Sequence, residues 1–222
     1  MKFTKKSMNM KLLLKNCYLN LIVLLTLTFI LIYFTNRYIL TVGFYENSSD
    51  PLSGIPGESQ RIYESLQSWI YISSAIYLIA KLFIISVILS IALYLNDQQI
   101  KFNRIFKVTI LAEFIFLIPA CIKIVSFRTV FPDGTVSDWH QYYILSALSL
   151  FKGVPADWAY ALQTLNVFEV GYWFLLAFGI SRISGLDYDL SLRTVVVSYL
   201  PALIIWVAVV TFCTLILFPG FG

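Results

Sequence analysis

Charged side chains are scarce in this sequence of 222 residues, which is 13% charged and 59% hydrophobic. A water-soluble domain of that size would have too little polar surface to cover its apolar core. The mean hydropathy of +0.80 points the same way. The composition therefore excludes an ordinary soluble domain and indicates a protein whose main solvent is lipid.

Histidine and cysteine are also rare. The single histidine is His140, so zinc motifs that need two histidines, such as H-E-x-x-H, are excluded. The three cysteines, Cys17, Cys121 and Cys213, show no C-x-x-C spacing, and so give no basis for a disulfide framework or a zinc site. No nucleophile and base occur in a recognisable pattern. We therefore predict a protein without a metal or cofactor and without enzymatic activity.

Long apolar runs, in contrast, are abundant. A hydrocarbon layer about 30 Å thick is crossed by about 20 apolar helical residues. We predict helices at about 19–40, 69–95, 105–127, 162–183 and 192–218, and a shorter segment at about 142–151 that lies along the interface. The chain from 1 to 222 is thus predicted to be a single all-α integral membrane domain, a bundle of five transmembrane helices. Pro119 and Pro201 are expected to bend the third and fifth helices.

Basic residues are unevenly distributed between the predicted loops. One set of helix ends carries ten of them: Lys2, Lys5, Lys6, Lys11, Lys15, Lys101, Arg104, Lys107, Arg182 and Arg193. The opposite loops, 41–68 and 128–161, are poorer in basic residues and rich in acids. The positive-inside rule places the N-terminus in the cytoplasm, and five helices then place the C-terminus outside. The net charge of +4 is read as this topology signal rather than as a nucleic-acid site.

Three ionisable residues inside the predicted helices are candidates for a functional role, because an unpaired charge there is costly. They are Lys81, Glu113 and Glu169. Lys81 falls near mid-depth, and each glutamate lies about 10 Å from it in depth, so the spacing favours neither as its partner. One hypothesis is a proton or anion relay through Lys81. The alternative is a structural ion pair, or a lysine whose long stem reaches interfacial water.

Small residues recur on the fourth predicted helix. Gly171, Ala177 and Gly179 would let another helix approach its backbone closely. The sequence leaves open whether that second helix belongs to the same chain or to a partner protein.

A more specific pattern occupies roughly the last 60 residues. It comprises LQTLNVFE at 162–169, GYWFLLAFGIS at 171–181, SGL at 184–186 and SYLP at 198–201. This combination of a tryptophan-bearing helix ending in glycine, a short loop and a last helix with an early proline resembles the bacterial branch of the Yip family, the Ypt/Rab-interacting integral membrane proteins. The resemblance implies a five-helix bundle with a cytoplasmic N-terminus and implies no catalytic residues. Eukaryotic relatives are associated with small GTPases and vesicle traffic.

These features predict a non-enzymatic adaptor or accessory subunit of a membrane complex related to transport, secretion or trafficking. The expected location is the cytoplasmic (inner) membrane of a bacterium. The expected partners are membrane lipid and another membrane protein, and no nucleic acid is expected. The alternative is a small permease or ion-coupled transporter that uses Lys81 with Glu113 or Glu169.

Single-cysteine variants test the predicted orientation. In a background without the native cysteines, a membrane-impermeant thiol reagent applied to intact cells should label Ser49→Cys and Gly222→Cys. Asn103→Cys should stay unlabelled, because the positive-inside rule places its turn in the cytoplasm. Labelling of Asn103→Cys alone would contradict the topology.

Overall fold

The computed structural model describes residues 16–46, 58–151 and 154–217. The basic leader, both termini and part of the first predicted loop, residues 47–57, lie outside these ranges. Within them the chain is almost entirely helical. These ranges contain no β-strand, and their β-type pairing is an isolated bridge between Ser146 and Asn166. The predicted all-α class is confirmed for this part of the chain.

Nine α-helices and two short 3₁₀ turns make up the described ranges. The helices are α1 (Cys17–Tyr38), α2 (Val42–Glu46), α3 (Glu58–Leu95), α4 (Phe102–Glu113), α5 (Leu117–Val130), α6 (Val136–Gln141), α7 (Ala156–Thr164), α8 (Val167–Ser184) and α9 (Tyr188–Leu217), and the 3₁₀ turns are Phe114–Phe116 and Ala147–Leu150. We name the end of the bundle that carries residues 131–166 the loop end. The opposite end, with the connections at 96–101 and 185–187, is the turn end.

Five helical segments are long and apolar enough to cross a membrane. They are Cys17–Tyr38, Arg61–Leu95, Phe102–Val130, Val167–Ser184 and Tyr188–Cys213. The predicted number of spanning helices is therefore confirmed. Large apolar side chains point away from the bundle, among them Ile76, Phe83 and Ile204. A surface of this kind is unfavourable in water and suits contact with lipid tails.

The second spanning helix begins earlier than the sequence predicts. α3 starts at Glu58 rather than at residue 69, and its 38 residues reach about 57 Å, against a hydrocarbon layer of about 30 Å. A contact with α1 explains the extra turns. Tyr63 Oη donates to the Leu40 carbonyl oxygen at 2.8 Å and lies 3.3 Å from that of Asn36. It thus satisfies carbonyl groups that the end of a helix leaves without partners.

The fourth spanning helix begins at Val167, whereas the sequence predicts a start at residue 162. Asn166 interrupts the helical run because its side chain accepts a hydrogen bond from the Glu169 amide at 2.8 Å and caps α8. Residues 162–164 belong instead to α7. The predicted interfacial segment 142–151 contains the 3₁₀ turn Ala147–Leu150, and Ala147 N donates to the Leu165 carbonyl at 2.8 Å.

The third spanning helix is interrupted close to Pro119. Regular α-helix ends at Glu113, the chain passes through the turn Phe114–Phe116, and α5 then begins at Leu117. Proline has no amide hydrogen to donate to the carbonyl four residues earlier, and here that carbonyl belongs to Ile115, within the 3₁₀ turn. Pro201, by contrast, stands inside the continuous helix α9. The degree of bending at either proline stays a prediction.

The largest buried cluster lies where α3, α4, α8 and α9 meet. Its members include Leu89, Leu93, Val108, Ala112, Tyr172, Leu176, Ala177, Ile180, Val195 and Tyr199. The small residues of α8 serve this interior. A Cβ at Gly179 would overlap Val108 Cγ1, one at Gly171 would lie 2.6 Å from Ile115 Cδ1, and Ala177 is fully buried. The helix that approaches α8 at these positions is therefore part of the same chain.

The variants Gly179→Ala and Gly171→Ala test this close packing. Both gain about 1 kcal/mol in helix propensity, but Val108 is β-branched and stiff, whereas the Ile115 Cδ1 methyl can rotate away. We expect Gly179→Ala to be less stable than Gly171→Ala by about 1–3 kcal/mol in detergent-based unfolding titrations. Val108→Ala should restore part of the loss, and equal stability of the two glycine variants would contradict the packing.

Candidate functional site

Lys81 and Glu113 form an ion pair inside the bundle. Lys81 Nζ lies 2.6 Å from Glu113 Oε1, and the side chains are 21% and 6% exposed, respectively. The sequence spacing did not decide whether Lys81 pairs with Glu113 or with Glu169. In the structure its partner is Glu113. A charge-assisted hydrogen bond of this length offsets part of the cost of keeping both charges away from water.

Two hydroxyl groups hold α3 against α4 about one turn from the ion pair. Ser86 Oγ donates to Thr109 Oγ1 at 3.0 Å, and both side chains are fully buried. Ser86 follows Lys81 by just over one helical turn, and Thr109 precedes Glu113 by one, so both steps lead towards the turn end. The hydroxyl contact thus fixes the register in which Lys81 and Glu113 meet.

Aromatic rings enclose the Lys81 ammonium on its other sides. Nζ lies 4.0 Å from the ring centroid of Phe116 and 5.6 Å from that of Tyr172. Both distances are within the range of cation–π attraction. The Tyr172 ring in turn packs on Phe116 and on Tyr199, with centroids 5.1 and 5.7 Å apart. These rings connect the ion pair to the surroundings of Glu169.

Glu169 is buried in the first turn of α8 and accepts hydrogen bonds from two neutral donors. Tyr199 Oη donates to Glu169 Oε1 at 2.7 Å, and Trp173 Nε1 donates to the same oxygen at 3.2 Å. The partial positive charge at the start of α8 acts in the same direction. Together these groups offset part of the cost of burying the carboxylate.

Two cavities flank α3 beside the ion pair, and we name each after a charged residue in its lining. The Glu169 cavity, about 510 Å³, lies between α3 and α9, and its polar lining includes Tyr77, Lys81, Tyr143, Tyr160, Glu169 and Tyr199. The Lys123 cavity, about 420 Å³, lies between α1, α3 and α5, and its polar lining includes Asn36, Ser74, Tyr77, Glu113 and Lys123. Lys81 lines only the first and Glu113 only the second, so the ion pair stands between the two cavities.

Aromatic side chains close the loop end of the Glu169 cavity. Trp206 Nε1 donates to Tyr160 Oη at 3.0 Å and so ties α9 to α7. Partial burial, with Tyr160 nearby, raises the pKa of the Tyr143 hydroxyl above its usual range. Tyr143 therefore stays a neutral hydrogen-bonding group at this end of the cavity.

Lys123 is a fourth intramembrane charge, which the sequence-based prediction omits. Its ammonium lies 4.3 Å from the Trp139 ring centroid and 4.4 Å from that of Tyr143. The sequence did contain a signal for an intramembrane charge at this position, because Lys123 lies within the predicted third helix, 105–127. A lysine less than two turns from a helix end is ordinarily taken for one that reaches interfacial water, which is why spacing alone does not single it out.

The described side chains offer no metal centre. Within residues 16–46, 58–151 and 154–217, no three His, Cys, Asp or Glu side chains are grouped so that they could hold a metal ion. The three cysteines are free thiols, Cys17 being buried and Cys121 and Cys213 exposed. His140 lies in α6, and its backbone carbonyl accepts from Gln163 Nε2 at 3.0 Å.

Comparison with known proteins assigns neither a family nor a function to the chain. No family model, curated protein or solved structure matches the chain. The resemblance to the Yip family stays a prediction. What the protein does must therefore be inferred from the chemistry of the buried polar groups.

A double-mutant cycle tests the energetic role of the ion pair. Lys81→Met and Glu113→Gln should each destabilise the protein by roughly 1–3 kcal/mol, because each leaves a buried polar partner unpaired. The double variant should be close to the parent protein in an unfolding titration. As a control, Lys81→Met combined with Asp97→Asn, at an exposed turn, should be additive. Additivity of the Lys81 and Glu113 changes would show that the pair is not coupled.

Proposed function

We propose that the protein is a small permease that couples substrate movement to a cation, with the Lys81/Glu113 ion pair as its gate. One observation carries the proposal: the two partners of a buried ion pair line different cavities. While the pair is formed, it stands between the two cavities beside Tyr77, which lines both of them. When the pair opens, the polar linings of the two cavities become continuous through the interior of the bundle.

The balance of charge around the gate supports a cation as the coupling ion. Lys81 neutralises Glu113, whereas Glu169 is held only by the neutral donors Tyr199 and Trp173. A buried group of formal charge −1 lowers its free energy by binding a proton or another cation. Glu169 is therefore the residue we assign to the coupling ion.

Lys81 is placed to change partners. It pairs with Glu113 while its side chain also lines the Glu169 cavity, and a lysine stem is long and flexible. Protonation of Glu113 would remove its counter-charge and favour movement of the ammonium towards Glu169. Two alternative pairings of one lysine provide the two-state element that gated transport requires.

The proposed setting is the cytoplasmic membrane of a bacterium, with the N-terminus inside and the C-terminus outside. Exposed basic side chains at the turn end support this orientation, namely Lys101, Arg104, Arg182 and Arg193. Membership of the bacterial branch of the Yip family belongs to the same proposal, and the pattern within residues 162–201 supports it.

An adaptor or accessory subunit is the second candidate function. An apolar groove of about 700 Å³ lies between α3 and α9 near the turn end, with Ile91, Leu95 and Val197 in its walls and Arg193 at its rim. A transmembrane helix of another membrane protein could insert side chains there. Gly171 and Gly179 of α8 are already packed inside the chain, so this groove is the docking surface that the adaptor hypothesis requires.

Glu169→Gln tests the permease proposal. The amide keeps a hydrogen-bond acceptor for Tyr199 and Trp173 but removes the charge, so we expect cation flux to fall by about tenfold or more. The measurement uses liposomes that contain the purified protein and a pH-sensitive dye, with a potassium diffusion potential imposed by valinomycin. Radioactive sodium uptake is measured in parallel, and Lys81→Met should lose flux in the same way while remaining folded.

The matched control is Asp97→Asn. This residue is an exposed carboxylate with a φ of 58°, and asparagine tolerates that left-handed conformation. Its flux should equal that of the parent protein. If neither protons nor sodium move faster than in protein-free liposomes, or if Glu169→Gln transports normally, the permease proposal is wrong. Co-purification of a membrane protein with a flux-free parent would then favour the adaptor.

A further inference from the structure

The Lys123 ammonium has no acidic partner among the described residues. Its contacts in the structure are the rings of Trp139 and Tyr143, and the salt bridge found within the described ranges is that of Lys81 with Glu113. Asp138, which precedes Trp139 in the chain, accepts hydrogen bonds at Oδ2 from Thr135 N and Thr135 Oγ1 at 2.7 and 2.8 Å and forms the capping box of α6. Aromatic faces alone leave a partly buried ammonium with unused hydrogen-bond donors.

Two further polar groups in the lining of the Lys123 cavity lack partners. Asn36 Nδ2 and Glu113 Oε2 are fully buried atoms that make no hydrogen bond in the structure. Both residues line this cavity, and they are only 7% and 5% exposed. Buried donors and acceptors in native proteins are nearly always paired. The Asn36 amide donor and the Lys123 ammonium, which has no acidic partner among the described residues, therefore indicate a missing anionic ligand, whereas Glu113 Oε2 is an acceptor beside the Lys81 ion pair and does not call for an anion.

The positions of Lys123 and Asn36 along their helices place both polar groups at one end of the Lys123 cavity. Arg128 Nη2 donates to the Tyr38 carbonyl at 3.1 Å, which sets the loop end of α5 level with that of α1. Lys123 is five residues from Arg128 and Asn36 two residues from Tyr38, so their depths differ by about 5 Å. Glu113 lies about 15 Å farther along the third spanning helix. The ammonium and the amide donor thus share one end of the cavity, and apolar walls separate them from the carboxylate.

We propose that the Lys123 cavity binds an organic anion, a carboxylate or phosphate oxygen group attached to an apolar body. The anionic oxygens pair with Lys123 and accept a hydrogen bond from Asn36 Nδ2. The apolar body follows the wall formed by Leu24, Leu31, Ile32 and Leu117 towards mid-depth. An anion fits better than a cation because the only carboxylate in this lining, Glu113, is already neutralised by Lys81. The site goes beyond the proposed transport function, which places the coupling cation in the other cavity.

Such a ligand can come from two sources. A free amphipathic carboxylate would enter from either phase, whereas the headgroup of an anionic lipid would reach the site from the bilayer. The chemistry at Lys123 is the same for both. Competition between a free carboxylate and an anionic lipid therefore tells the two sources apart.

Quenching of tryptophan fluorescence by 2-bromodecanoate tests the site. The bromine sits beside the carboxylate, so a molecule bound at Lys123 places it against the Trp139 ring. We expect saturable quenching of the parent protein in mild detergent, reversed by unbrominated decanoate. Lys123→Met should weaken binding by about tenfold or more, since it removes a charge-assisted hydrogen bond, and Lys123→Arg should retain most of it.

Three controls make the result specific. Trp139→Phe should lose the quenching signal while decanoate still protects the protein from heat, which assigns the signal to this ring. Lys101→Met removes an exposed lysine outside the cavity and should bind like the parent protein. Asn36→Leu should weaken binding without loss of folding, because its Nδ2 has no partner to lose.

The outcomes separate this site from the transport proposal. The quenching assay measures binding and does not depend on transport. A protein that shows saturable quenching but no cation flux would therefore contradict only the proposed function. Equal quenching of Lys123→Met and the parent protein, or no saturable quenching at all, would overturn the anion site. In nanodiscs of phosphatidylcholine, displacement of 2-bromodecanoate by added phosphatidylglycerol would identify the lipid headgroup as the ligand. Binding that phosphatidylglycerol leaves unchanged would identify the free carboxylate.

Discussion

The arrangement of the bundle depends on how a lysine charge is accommodated at mid-depth in a membrane-spanning helix. Lys81 cannot be left unpaired in an apolar interior without a cost of several kcal/mol. The structure meets that requirement from two directions, with the Glu113 carboxylate at 2.6 Å and the faces of Phe116 and Tyr172 beyond it. Helices α3, α4 and α8 must therefore be held in one register, and the contact of Ser86 with Thr109 holds the first two.

The 3₁₀ turn in the third spanning helix also contributes to the surroundings of the Lys81 ammonium. Glu113 and Phe116 are three residues apart, and side chains at this spacing lie on nearly the same face of an α-helix and of a 3₁₀ turn, so both contact the ammonium. Pro119, three residues after Phe116, lacks the amide hydrogen that would otherwise bond to the Ile115 carbonyl in a regular α-helix. From Phe116, ring contacts through Tyr172 and Tyr199 reach Glu169. The ion pair and these ring contacts therefore connect all three predicted charges.

Composition and helical length were enough to predict five spanning helices, since a bilayer imposes a minimum apolar length that needs no tertiary information. The partner of Lys81 could not be predicted, because spacing along helices gives depth but not the direction each side chain faces. The start of α8 was missed because its signal is a helix cap: the Asn166 side chain accepts a hydrogen bond from the Glu169 amide, inside a run of helix-forming residues. Lys123 was overlooked because its distance from the helix end resembles that of an interfacial lysine, and its aromatic neighbours lie on and just after a different helix, α6.

The length of α3 has a mechanical consequence. Lys81 lies 23 residues from the first residue of this 38-residue helix, so about 35 Å of helix separates the ion pair from the loop-end tip. A helix that tilts about a point near its ion pair displaces its far end in proportion to that lever arm. If α3 tilts during the exchange of partners proposed for Lys81, a movement of a few ångströms in the apolar core would be amplified at the end of α3 near Tyr63. A spectroscopic probe on that tip would report, from the aqueous phase, which carboxylate holds the lysine.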